Sequence, residues 1–375
     1  MRSSDLPPDI AVLLDHGDGL ITIDDAERTN LDTSRLRHLM ASGRLLRLAR
    51  GAYTGARHYN TLRPWQRHVL EARALVQSCN SEVFLTGWSA VAIWGLPTLR
   101  KPPPGPALVR LHPSAAVDGG RGGWIQQANV PRAHQMRYRR AHVVSPAWAV
   151  AEMSRHSPLE QALAAADAVA RRAAEAAATT DPDSRRLRTL DLDDAVANMR
   201  HWSGVQRSRW VAQYADPCAE TPIESLGRFA CLQYALPMPV ANAWVGERHP
   251  EYRVDGLWPW HWAAFEADGA VKYNLRPDAS DIVAAQNERE WWLRRLGLDF
   301  TRFGWELAAH RRPTLGGRFR QLLSDNPPRK EPIQWWKHVP GLGAVEPEAR
   351  DWPTPLNGME RIPRHLLPPR RRRYR

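Results

Sequence analysis

The sequence predicts an α/β (α+β) multidomain protein with an N-terminal winged helix-turn-helix, a mixed middle region and a C-terminal αβββαβ domain. Three observations predict it. The chain is 375 residues long, too long for one ordinary core. Near the N-terminus a basic helical pattern is followed at once by two short β-like runs. From Asp216 onward, helix, three strands, helix and strand patterns succeed one another with turn clusters between them.

Composition bounds the function classes. The hydrophobic fraction of 43% supports packed globular domains, and 17 Trp against 6 Phe puts much of the core on large indole rings. The three cysteines, Cys79, Cys218 and Cys231, form no CxxC pair, which excludes a zinc ribbon and a disulfide framework and fits a reducing compartment. The apolar run in MRSSDLPPDIAVLLDHGDG is too short for a signal peptide, and no later run reaches membrane-spanning length. The expectation is a soluble, cytoplasmic protein without a membrane partner. A net charge of +12 points to a polyanionic partner, but seven Arg in the closing RIPRHLLPPRRRRYR leave only +5 for the rest. Local pattern therefore carries the argument.

Residues 1–58 read as the winged helix. GLITIDDAERTN is a short strand or turn entering a helix. LDTSRLRHLMASG offers an N-cap at Asp32 or Thr33, an apolar face of Leu36, Leu39 and Met40, and a stop at Gly43. The opposite face carries Ser34, Arg35, Arg37 and His38. RLLRLARGAYTG then gives two strands turning at Arg50–Gly51, with Arg44, Arg47 and Arg50 along a basic hairpin. Such an order places a helix in the major groove and a wing on the phosphates. A small helical cap with a solvated Arg face is the alternative reading.

The segment GLITIDDAERTNLDTSRLRHLMASGRLLRLARGAYT resembles the AbiEi antitoxin domain found at the N-terminus of actinobacterial proteins. Its L-x-x-S-R-L-x-x-L, G-R-L and R-G-x-Y pieces cover about the first 55 residues. FLTGWSAVAIWGLP and VVSPAWAVAEMSR continue the likeness more loosely. The resemblance implies DNA binding by the winged helix, at the protein's own promoter, with a cognate toxin as a second partner.

Residues 59–160 offer no chemistry. His112, His134 and His142 lack metal-ligand spacing and read as surface or packing residues. Residues 161–205, Ala-rich and then polar, read as a helical linker. Within residues 206–323, TPIESLGRFACLQYALP is an amphipathic helix on which Glu224 and Arg228 are spaced to pair. ANAWV, YRVDGLW and WAAFEAD are three strands, SDIVAAQNEREWWLRRLGL a second helix closed by Gly297, and DFTRFGW a last strand. Asp255 lies at the end of the second strand, and Glu266 and Asp268 alternate on one face of the third. Desolvating lone carboxylates is costly, and a Mg²⁺ ion with hard oxygen ligands relieves it.

This order resembles the PD-(D/E)xK fold, and more narrowly the very-short-patch-repair-endonuclease-like domain. TPIES with Arg228, RVDGLWP, FEADGAVKY, NEREWWLRRLG and FTRFGW carry the likeness over about 85 residues. It implies Asp255 and Glu266 as metal carboxylates, Glu224 as an auxiliary acid and Mg²⁺-dependent cleavage of DNA. The departure is at the lysine position two after Glu266, which holds Asp268. Lys272 reaches back only if the chain turns at Gly269; Asp268 is otherwise a third metal ligand or the base for the attacking water. Trp291–Trp292 is a second departure. In the bland readings, Asp255-Gly256 is a hairpin turn, Glu266 an exposed edge residue, and the Trp-rich PWHW a core contact. Residues 324–375 read as a disordered, Pro- and Arg-rich tail attracted to phosphate. Two functions follow: a nuclease in a defence or toxin–antitoxin setting, or an antitoxin-like autorepressor with an inert scaffold.

Overall fold

The computed structural model describes residues 6–79, 83–112, 124–178, 192–269, 288–353 and 362–367. The chain divides into two compact units, Met1–His156 with Leu192–Ser208, and Ser157–Asp191 with Arg209–Arg375. No helix among the described residues is long and apolar enough to cross a membrane.

The first unit begins with α1 (Pro8–His16), β1 (Ile21–Thr22), α2 (Ile23–Arg28), α3 (Thr33–Ala41), β2 (Leu45–Ala49) and β3 (Ala52–Gly55). Pro8 opens α1, where its missing N–H costs nothing. Thr22 and Asp25 close a capping box on α2, and the Asp32 carboxylate accepts the Ser34 N–H at 2.8 Å to cap α3. Ile10 and Leu14 pack with Ile21, Ala26, Leu36, Leu39 and Leu45 in one buried cluster. The three-stranded sheet runs β1-β3-β2, and Gly51 turns the hairpin at φ +69°. Met40, expected on the apolar face, is instead exposed, because Leu36 and Leu39 alone complete the stripe facing the cluster.

α4 (Ala56–Thr61), α5 (Pro64–Gln77), β4 (Val83–Leu85), α6 (Gly87–Ile93), β5 (Ala107–Arg110), β6 (Trp124–Gln127), β7 (Gln135–Tyr138), β8 (Ala141–Val144) and α7 (Pro146–Ser154) follow. Their strands form a mixed sheet of order β6-β5-β4-β8-β7. Leu70 and Ala74 of α5 share a buried cluster with Leu20, Ala49 and Ala52. Residues 1–58 and 59–160, expected as separate domains, thus fall in one unit, since the back of the hairpin needs α5 to bury it.

α8 (Leu159–Ala178) belongs to the second unit, α9 (Leu192–Asn198) to the first, and α10 (Val205–Tyr214) begins in the first and continues into the second. The 161–205 stretch is therefore no separate linker. Ten residues of α8 are buried, which an Ala-rich face achieves by close approach.

The second unit continues with α11 (Pro222–Tyr234), β9 (Val240–Val245), β10 (Tyr252–Trp258), β11 (Ala263–Asp268), α12 (288–295), β12 (Asp299–Gly304), α13 (Arg312–Asp325), β13 (Trp335–Val339) and β14 (Gly343–Val345). The sheet order is β12-β11-β10-β9-β13-β14. β9, β10 and β11 form the expected antiparallel meander, and β12 pairs parallel to β11. Trp258 at the end of β10 is buried and packs on Phe265 and Phe319, whereas Trp260 and Trp262 of the Trp-rich turn are half-buried, Trp262 against the core of the sheet. The tail reading fails for residues 324–353. Trp335 and Trp336 pair with Val245 and Trp244 of β9, and Trp335 is 1% exposed. Burying two indoles between β9 and β14 outweighs the Pro-rich composition around them. The closing Arg run lies outside the described residues.

Candidate nucleic-acid interface and carboxylate cluster

Ser34, Arg35, Arg37 and His38 on α3, with Arg44, Arg47 and Arg50 along the hairpin, are all exposed. The reason is geometric. Leu36 and Leu39 anchor one face of α3, so Ser34, Arg35, Arg37 and His38 project from its other sides. In β2, Leu45 and Ala49 pack into different clusters, and Arg47 lies exposed at the register shift before Ala49. The side chains are not equally available. Arg35 donates to both carboxylate oxygens of Asp9, at 2.6 and 3.1 Å, and this contact holds the Asp9 carboxyl below its ordinary pKa. Arg47 donates to the Ala49 carbonyl at 3.3 Å, and Ser34 bonds to Asp32. The sequence reading did not foresee Asp9, which lies 26 residues from Arg35 on a helix it did not assign.

In the second unit, Glu224 sits in the first turn of α11. Its carboxylate accepts from the Thr221 hydroxyl at 2.6 Å, the Glu220 N–H at 2.8 Å and the Asn242 amide at 2.6 Å. It does not pair with Arg228. That guanidinium donates to Asp167 of α8 at 2.9 Å and to the Tyr214 carbonyl at 2.8 Å, because the Arg228 face of α11 packs on α8. Asp255 lies within β10, not at its end, and Asp255-Gly256 is no hairpin turn. The glycine is needed because a Cβ there would come within 2.2 Å of the Phe265 ring.

The β10–β11 pairing ends at Gly256–Phe265, and beyond it the Asp255 carboxylate accepts the Ala267 N–H at 2.7 Å. A side chain thus replaces a backbone partner where the two strands open. Glu266 is 6% exposed on an inner strand, which removes the edge reading. Asp268 ends β11 and is exposed. Lys272 lies outside the described residues.

Asp255 couples the cluster. Burial raises Glu224 to about 7, with the charge of Asp255 adding to it, and the same two causes raise Glu266 to about 7. Burial likewise raises Asp255. Arg289 of α12 supplies the countercharge: it donates to Glu266 at 2.8 and 3.3 Å and to the Arg253 carbonyl. Sequence gave no local sign of this role, since Arg289 is one of several Arg on an amphipathic helix. Arg253 in turn makes a bidentate pair with Glu220, at 2.8 and 2.9 Å.

The carboxylate chemistry suits Mg²⁺, but the arrangement does not. Both Glu266 oxygens face Arg289, one Asp255 oxygen is taken by a backbone N–H, and Asp268 points to solvent. Among the described residues no group of three or more His, Cys, Asp or Glu is placed to hold a metal ion.

Residues 10–54, from α1 to β3, match the family described as "Transcriptional regulator, AbiEi antitoxin". The chain is also similar to two proteins of Mycobacterium tuberculosis, "Uncharacterized protein MT2308" (strain CDC 1551 / Oshkosh) and "Uncharacterized protein Rv2248" (strain ATCC 25618 / H37Rv). Each is 28% identical over 154 residues, 41% of this chain and 52% of the relative. The chain spans about half the length of these curated relatives. A crystal structure of the RV2827C protein from the same species overlaps 55% of this chain and 80% of its own, at 16% identity and a TM-score of 0.29, a likeness too weak to carry an argument. The N-terminal match supports a DNA-binding regulatory role.

Proposed function

We propose that this chain is an antitoxin-like DNA-binding regulator that docks through α3 and the β2–β3 hairpin. The observation that carries the proposal is the coincidence of two things. The segment matching the regulator family is the one that turns seven polar and basic side chains outward on a helix and its adjoining hairpin. In this reading α3 enters the major groove, where Arg37 and His38 face base edges, and Arg44, Arg47 and Arg50 follow the phosphates. The site is the DNA upstream of the protein's own gene, and a cognate toxin is the protein partner. Footprinting of that upstream DNA tests the proposal: a protected, sequence-limited stretch supports it, and protection that follows protein concentration without any sequence limit removes it.

A second reading is favoured by the carboxylate cluster. Two buried acids, Glu224 of α11 and Glu266 of β11, both feel the charge of the half-buried Asp255 of β10, and carboxylates raised together in this way are candidates for chemistry. The reading is phosphodiester hydrolysis dependent on Mg²⁺, with Asp255, Glu266 and Asp268 as ligands, Glu224 assisting and Lys272 supporting the developing charge. It requires Arg289 to leave Glu266. Nicking of supercoiled DNA with Mg²⁺ or Mn²⁺, lost in Asp255→Ala, is the expected result; wild-type protein inert with both ions leaves an inert scaffold.

A further inference from the structure

A cavity of about 330 Å³ opens in the first unit, walled by α2, the end of α5 and the β7–β8 hairpin. Arg28, Arg137 and Arg140 line it, together with His142, Thr22 and Gln77. Asp24 is the acid on its wall. Arg28 and Arg140 both reach one oxygen of a single carboxylate, Asp25, so one negative charge is shared by two guanidiniums that keep further N–H donors. That carboxylate is anchored from below by the Thr22 N–H at 2.9 Å and the Thr22 hydroxyl at 2.7 Å. The amide Nε2 of Gln77 is buried and meets no acceptor among the described residues. A buried donor without an acceptor is costly, and a ligand oxygen removes the cost.

The backbone adds an independent sign. The β7–β8 turn is built on Arg139 at φ +47° and Arg140 at φ +62°, two consecutive side chains in the left-handed region that such hairpins normally give to Asn or Gly. Backbone held there gathers at functional sites. The turn is fastened by Arg73, which donates to the Arg139 carbonyl at 3.2 Å and to the Asp18 and Gly17 carbonyls at 2.8 and 2.9 Å. The strained turn is what carries Arg140 onto Asp25 of α2.

We infer that this cavity binds a phosphate oxyanion through the Arg28, Arg137 and Arg140 guanidiniums and the Gln77 amide. Forked guanidinium donors match phosphate oxygens, and the cavity has the size of a small-molecule site. A phosphate that engages Arg28 and Arg140 competes with Asp25 for both, and so acts on the contact between α2 and the β7–β8 turn. The inference goes beyond the DNA-docking surface and does not depend on the carboxylate cluster. The phosphate has two sources, a free phosphorylated molecule or the DNA backbone, and one set of measurements separates them.

The full chain is titrated with inorganic pyrophosphate by calorimetry, with sodium chloride at matched ionic strength as control, and then with upstream duplex DNA. The test variants are Arg137→Glu and Gln77→Glu, which leave the Asp25 contacts untouched. A one-to-one pyrophosphate isotherm weakened at least tenfold in both variants supports the site and assigns it to a free ligand. If pyrophosphate gives no heat, but Arg137→Glu lowers the slope of log affinity for DNA against log salt by about one, the phosphate is that of DNA. Pyrophosphate that gives no heat beyond the salt control, together with DNA binding unaltered in both variants, overturns the inference.

Discussion

Arg35 of α3 is held by Asp9 of α1 through both carboxylate oxygens, at 2.6 and 3.1 Å, on the face proposed to meet DNA. The pair is exposed, with 44% and 47% of the two side chains in solvent, so it contributes on the order of 0–1 kcal/mol to stability. Its larger effect is on binding, because Arg35 gives up Asp9 before it can reach a phosphate or a base. Asp9→Ala is expected to tighten DNA binding several-fold while leaving thermal stability nearly unchanged. Fluorescence anisotropy with upstream duplex DNA reads the first, and a melting curve the second. Unchanged binding in Asp9→Ala would place Arg35 away from the DNA.

Arg228 and Asp167 are 5% and 1% exposed and join α11 to α8 at 2.9 Å. Removing one partner strands the other in a low-dielectric interior, at a cost of roughly 3–5 kcal/mol. Arg228→Met should therefore lower the denaturation midpoint of the second unit sharply. The double variant Asp167→Leu/Arg228→Met should recover much of the loss. Urea denaturation of the two variants side by side decides it, and a double variant no better than the single one contradicts the account.

Glu152 is buried in the first unit and accepts from the Thr86 hydroxyl and the Gln126 amide. Burial raises it to about 7 from an ordinary 4.5. Between those values the folded protein keeps a proton that the unfolded chain has released, so stability falls as pH rises from about 4.5 through 7, by up to about 3 kcal/mol. Glu152→Gln imitates the protonated acid and does not titrate. Its melting temperature relative to wild type should rise between pH 5 and pH 8. A difference that stays constant over that range would mean that Glu152 remains ionised.

Arg289 neutralises Glu266 by a pair whose acid side chain is buried. Arg289→Ala leaves that carboxylate uncompensated beside Asp255, which destabilises the second unit and raises the attraction of the cluster for a cation. The variant should melt lower than wild type and regain most of the loss in millimolar Mn²⁺, whereas wild type should respond little. Equal responses of the two proteins would show that Arg289 does not compete with a cation.

What the sequence disclosed follows its periodicities. The α3 face and the hairpin at Arg50–Gly51 were legible because two leucines and a glycine punctuate a short, strongly patterned segment. The meander and its acids were legible because alternation fixes which side chains share a strand face. The ion-pair partners were not, since Asp167 lies 61 residues before Arg228 in the chain and Arg289 lies 23 after Glu266. Pairing at that separation depends on packing and leaves no periodic trace. The strand at Trp335–Val339 was hidden by its Pro-rich flanks, and α1 by its shortness. Met40 satisfied the helical spacing, yet the stripe was already complete without it.

The central claim is that α3 and the β2–β3 hairpin dock on duplex DNA. The most direct measurement is the affinity of the full chain for its upstream duplex, taken across a salt series for wild type and for Arg37→Glu combined with Arg47→Glu. The account predicts wild-type binding that weakens steeply with salt, and a double variant at least a hundredfold weaker with a shallower slope. Affinity and slope unchanged by the two reversals would contradict it.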